Sequence, residues 1–173
     1  MVSVEEPLYN DRPRTGINDS IGNTRFIQFS LSTRRPLGEF AYQISPVAHP
    51  PVTSYGYRMN GISDILTVGK NRLLVLERSF SVGWPGCSIR LYLADYTHAQ
   101  NIIRDSSLEL HPPTRYLTKK LLANLDSLGI YVDNMEGVTF GPRLRNGHQT
   151  LILISDNNFN PFQKTQFLLF EIR

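Results

Sequence analysis

Hydrophobic and polar positions alternate along much of this chain with the two-residue period of half-buried strands. Arg25-Phe26-Ile27-Gln28-Phe29-Ser30-Leu31 and Glu39-Phe40-Ala41-Tyr42-Gln43-Ile44 alternate or nearly so. Arg72 to Leu76 and Leu151 to Ile154 are instead continuous apolar runs of strand length, the pattern of strands covered on both faces. Ile89-Arg90-Leu91-Tyr92-Leu93 and Gln166-Phe167-Leu168-Leu169-Phe170 follow them after loops rich in Gly, Pro, Asn or Ser.

The strands recur as a unit. Tyr57-Arg58-Met59-Asn60-Gly61-Ile62 can be laid over Asp133-Asn134-Met135-Glu136-Gly137-Val138. After each comes a turn and an apolar strand, Leu73 to Leu76 or Leu151 to Ile154. Each of these strands is read as ending on an acid, Glu77 or Asp156, with an aromatic three residues on, Phe80 or Phe159. A weaker copy opens the chain as Val2-Ser3-Val4-Glu5-Glu6 and Thr24 to Phe29, with Gly38 to Ile44 as its fourth strand. Four short strands repeated at such a spacing are the signature of a β-propeller blade.

One segment conflicts with its surroundings. Leu117, Leu121, Leu122, Leu125 and Leu128 share a helical face, whereas the repeat asks for an outer strand around Lys119 to Asn124. A blade without that strand would leave an unpaired edge, so a strand is expected there, followed by a helical turn at Leu125 to Leu128. The expected class is therefore all-β, in four-stranded antiparallel blades: a blade remnant over 1–45, a blade over 60–124 and a last blade over 133–173. The long loops Ser45 to Met59 and His98 to Thr114 read as surface connections.

Composition adds exclusions. The 173 residues, with 40% hydrophobic and 19% charged, suit about one globular domain. The net charge of +3 comes with scattered basic pairs and no basic stripe, which argues against nucleic-acid binding. No apolar run reaches the roughly 18 residues of a membrane span, and the amino terminus has no signal-like region. It opens as though inside a strand, the expectation for the tail of something longer. Cys87 is alone, so an intrachain disulfide and a thiolate metal site are excluded, and it reads as a small residue entering a strand. Phosphate loop, HExxH and Gly-x-Ser-x-Gly signatures are absent, and His49, His98, His111 and His148 lie in loop-like sequence.

Residues at one place in successive blades form a ring around a propeller's channel. Asn60 with Glu136, and Glu77 with Asp156, are such pairs. Carboxylates and amides are hard oxygen ligands, and a ring of them can gather the roughly six to eight oxygens that Ca²⁺ takes. Ser155-Asp156-Asn157-Asn158 and Asp133-Asn134-Met135-Glu136 would be the last blade's share of that rim. Asn157, Asn158 and Asn160 suit turn formation equally, and Arg78 beside Glu77 allows a simple ion pair.

The wording of these blocks is also familiar. Asn60 to Leu66, Arg72 to Phe80 and Ile89 to Tyr92, with Asp133 to Pro142, Ser155 to Pro161 and Thr165 to Leu168, resemble the phytase-like propeller family described as "esterase-like activity of phytase". That resemblance implies a propeller of about six blades, of which this chain matches the carboxyl-terminal portion. It implies extracellular or periplasmic relatives and calcium-dependent hydrolysis of a small-molecule phosphate ester or other ester. On that reading Glu136 and Asp156 are catalytic, and Glu136, Asp156, Glu77, Asn60 and Asp133 hold the metal. A calcium-dependent lactonase-like hydrolase and a non-catalytic binding propeller or degenerate fragment are the alternatives. Two open blade faces and a strand edge would call for a second chain or self-association.

Overall fold

In the computed structural model, which describes residues 1–16 and 21–173, the chain is built from ten strands in three antiparallel sheets. The first sheet orders β1 (Val2–Ser3), β2 (Gly22–Phe29) and β3 (Pro36–Ile44). The second orders β4 (Arg58–Gly69), β5 (Arg72–Ser81), β6 (Ser88–Asp95) and β7 (Thr118–Asn124). The third orders β8 (Met135–Phe140), β9 (Gln149–Ser155) and β10 (Gln166–Ile172). These are propeller-like blades, although only the second has four strands and the described residues form no closed ring.

The second sheet lies between the other two, and this accounts for the apolar run of β5. On that strand Leu73 and Val75 face the first sheet, in a core with Phe26, Tyr42, Ile44 and Tyr92. Leu74 and Leu76 face the third, in a core with Ile89, Met135, Val138, Leu151 and Leu153. Alternation carries successive side chains to opposite faces, so a strand covered on both sides is apolar at every position. Fully burying each such side chain contributes about 1.5–3 kcal/mol relative to exposure.

The disputed segment resolves as the strand. β7 pairs with β6, from Asp95↔Thr118 to Arg90↔Asn124, and a 3-10 turn follows over Leu125–Leu128. Asn124 caps that turn by accepting the Asp126 N–H, and Gly129 ends it in the left-handed region at φ 65. Leu125 is buried in the core between the second and third sheets, whereas Leu121, Leu122 and Leu128 are exposed.

Two expectations about the acids are corrected. Glu77 does not end its strand, because the β4–β5 ladder runs on through Arg78↔Gly61 to Ser81↔Arg58. Bulges between Ile62 and Asp64 and between Met135 and Gly137 shift the two registers. Ile62 pairs with Glu77 while its repeat counterpart Val138 pairs with Leu153, so Leu153, not Asp156, holds the ladder position of Glu77.

The first sheet is also partly covered. Within the loop from Tyr96 to Leu117, Ile102 and Leu117 donate backbone hydrogen bonds to Glu39 and Ala41 of β3 at 2.8 and 3.0 Å. Ile102 and Leu108 pack on Ala41, so this connection carries a small core of its own. The bidentate pair Arg25–Asp11, with N···O distances of 2.6 and 2.7 Å, locks the assembly, and Asp11 also accepts the Leu108 N–H. The third sheet has no such cover: Ile154, Phe167 and Leu169 are exposed.

Candidate functional site

Glu77 is 1% exposed and faces the first sheet. Its Oε1 accepts from the Tyr42 hydroxyl at 2.7 Å and the Lys119 ammonium at 2.6 Å. Its Oε2 accepts from the Ser45 N–H and Asn60 Nδ2, both at 3.1 Å. Four donors use the carboxylate fully, as a buried charge requires. Burial pushes the Lys119 ammonium below its ordinary pKa, against the pull of Glu77, and pushes the Tyr42 phenol well above its own. Lys119 also lies over the Tyr42 and Tyr92 rings, 4.8 and 4.4 Å from their centroids.

Asn60 is bound into the same cluster, its Nδ2 also donating to the Ser45 carbonyl at 2.8 Å. Its Oδ1 has no partner among the described residues. A cation already occupies the open side of Glu77, so Glu77 and Asn60 do not fit a shared calcium ion in this arrangement.

Arg78, the next residue along β5, points the other way. This separates it from Glu77 and overturns the simple ion pair between them. Its guanidinium donates to Glu5 Oε1 at 2.5 Å and to Asn134 Oδ1. Asn134 Nδ2 in turn donates to Glu136 Oε1. Glu5, Arg78, Asn134 and Glu136 thus form a continuous polar row joining elements of all three sheets. The row lies where the inner strands converge, since Ile62 N–H donates to the Glu5 carbonyl at 3.0 Å and Val138 N–H to Asp64 Oδ2 at 2.8 Å.

Asp133 is buried and serves the local backbone. Its Oδ1 accepts the Asn134 N–H at 2.8 Å, and its Oδ2 accepts the Lys164 N–H at 2.6 Å and the Tyr131 hydroxyl at 3.1 Å. Desolvation and that bond to Asp133 push the Tyr131 phenol up. Asp133 and Asn134 line one cleft with Arg78, and Glu136 joins it through Asn134. Asp156 is exposed and does not line that cleft.

The acid-amide run after β9 mostly builds a turn. Asn157 Oδ1 accepts the Phe159 N–H and Asn160 Oδ1 the Phe162 N–H, while Asn158 and Phe159 take positive φ of 49 and 54. Ser155 is buried and ties the two strands, donating to the Lys164 carbonyl at 2.8 Å and accepting the Gln166 N–H at 3.0 Å. Among the described residues no three His, Cys, Asp or Glu side chains are grouped as a metal site.

Sequence reasoning missed Arg78. The signal was available: in a strand buried on both faces, the residue after an inward-facing acid must face the opposite neighbour. It also missed a larger cavity of about 560 Å³ beside the cleft, sharing Gly86, Cys87 and Tyr131 with it. There His49 stacks on Trp84 at 4.1 Å, and its Nε2 lies 3.8 Å from Asp126 Oδ2. Asp126 Oδ2 also accepts the Ser88 hydroxyl at 2.6 Å, so Ser88 is turned toward the acid rather than toward the imidazole. Burial pushes the Cys87 thiol up to about 11 against the influence of Arg78, which disfavours the thiolate at neutral pH.

The described residues contain no helix long and apolar enough to cross a membrane. No characterised protein and no solved structure matches the chain. A family model described as phytase-like, esterase-like activity of phytase, matches residues 1–159. Its span includes β1 to β9, the buried Glu77 cluster and the whole row from Glu5 to Glu136, and the chain belongs to this phytase-like family.

Proposed function

We propose that this chain acts in the hydrolysis of an ester that carries an anionic group, bound at Arg78. The observation that supports this most is the row Glu5–Arg78–Asn134–Glu136, whose middle members Arg78 and Asn134 line a cleft of about 410 Å³. Arg78 is a fixed guanidinium that already holds one carboxylate, and such a group recognises phosphate or carboxylate oxygens and stabilises charge developing on them. Glu136 is exposed, with Asn134 holding one of its oxygens, and is the carboxylate suited to activating water.

Calcium enters this reading at Glu136 alone. One exposed carboxylate supplies one or two of the roughly six to eight oxygens the ion takes, so substrate and water would supply most of the rest. Turnover of 4-nitrophenyl phosphate, with 4-nitrophenyl acetate as the ester that lacks an anionic group, and with calcium added or chelated, tests the proposal. Glu136→Gln is expected to lower kcat/KM by about a hundredfold or more, with the melting temperature unchanged. Wild-type rates in that variant would remove Glu136 from the chemistry, and no turnover of the phosphate ester by the folded chain would sink the hydrolytic reading and leave a binding propeller.

A further inference from the structure

The cleft at Arg78 is walled by Tyr57, Met59, Phe80, Tyr131 and Phe162. Tyr57 is 57% exposed and Phe162 87%. Exposed aromatic side chains around one fixed cation make a site that is apolar in area and polar at a single point. The Tyr57 and Phe80 rings stand 6.2 Å apart and tilted by 41°, and Met59 Sδ lies 4.0 Å from the Arg78 guanidinium.

The charges around that point limit how much negative charge a ligand can bring. Asp133 lines the cleft, Glu5 touches Arg78, and Glu136 follows through Asn134. Against these three carboxylates stand Arg78 and Lys164, whose Nζ lies 5.0 Å over the Tyr131 ring. A multiply phosphorylated polyol needs a basin of cations, because each added phosphate without a partner is repelled by carboxylates in a partly desolvated site.

We infer that the ligand of this cleft is a compact ester with one phosphate group and an aromatic body, and not a multiply phosphorylated polyol. The phosphate would displace the Glu5 carboxylate on Arg78, and the aromatic ring would lie among Tyr57, Tyr131 and Phe162. The inference rests on the reading of Arg78 as the anion contact and adds what surrounds the anion.

Calorimetric titration of the full chain with phenyl phosphate, glycerol 3-phosphate and inositol hexakisphosphate tests it. Phenyl phosphate is expected to bind about tenfold more tightly than either of the others. Phe162→Ala, at an exposed position, is expected to remove about half or more of that advantage and to leave glycerol 3-phosphate binding unchanged. Equal binding of the two monophosphates, or tighter binding of the hexakisphosphate, overturns the inference while the anion contact stands. No binding of any of the three to the folded chain overturns both.

Discussion

The Asp64 carboxylate accepts the Val138 N–H at 2.8 Å, joining the inner strand of the second sheet to the inner strand of the third. Its other oxygen accepts the Ile65 N–H at 2.8 Å, beside the bulge that follows Ile62. One side chain thus fixes both the local kink and the distance to the neighbouring sheet. Asp64→Ala leaves the Val138 N–H without its acceptor, and the expected loss is about 1–3 kcal/mol in chemical denaturation. An unchanged midpoint would mean that water replaces the contact.

Glu77 and Lys119 form the second testable pair, at 2.6 Å on the face of the second sheet that meets the first. Lys119→Met leaves a buried carboxylate with its remaining neutral donors and is expected to cost about 3 kcal/mol or more. The double variant with Glu77→Gln is expected to be less damaged than the two single losses added together. Strict additivity in the cycle would show that the two groups act independently.

Asp95 provides a pH signature. Thr97, through its hydroxyl and its N–H, and then Arg72 hold this carboxyl at about 2, below its ordinary 3.8. A depressed acid contributes stability that is present above the unfolded value and is lost as pH falls from 3.8 toward about 2. A carboxyl titration by NMR is expected to place Asp95 below the exposed acids, and Asp95→Asn is expected to flatten the stability profile in that window. A midpoint in the ordinary range would remove the contact with Thr97.

Gly83 tests the loop that folds over the end of β5. Val52 N–H donates to the Val82 carbonyl at 3.0 Å, Ser81 Oγ to the His49 carbonyl at 2.6 Å and Trp84 Nε1 to the Pro50 carbonyl at 2.7 Å. Gly83 has φ 94, and a Cβ there would stand 2.1 Å from Val52 Cγ2. Gly83→Ala is expected to cost more than about 1 kcal/mol and to expose the loop to protease. Val52→Ala in the same chain should recover only part of the loss, because the backbone strain remains.

Much of the fold was legible because hydrophobic period and turn chemistry are local. The β7 strand was found despite its helical stripe, since the need to pair an edge is a stronger constraint than one window of leucines. The acids were harder to place. Glu77 looked like a strand end because polarity resumes there, yet it is a buried charge satisfied by Tyr42, Ser45 and Asn60, donors that other segments supply. Its overlay on Asp156 failed because Val138, the counterpart of Ile62, pairs with Leu153, three residues earlier, and strand register leaves no mark in the hydrophobic pattern. Arg78 was hidden by its neighbour: adjacent in sequence suggested a pair, whereas adjacent in a strand means opposite faces.

The unequal ends of the three-sheet stack give the molecule a direction. On one side the segment through Ile102 and Leu108 covers the part of the first sheet around Ala41, while on the other Phe167 and Leu169 stand in water. An approaching sheet would find a contiguous apolar strip of Ile154, Phe167 and Leu169 on the β9–β10 side. Polar substitutions at Phe167 and Leu169 would act on solubility, whereas similar changes at Ile102 or Leu108 would act on folding.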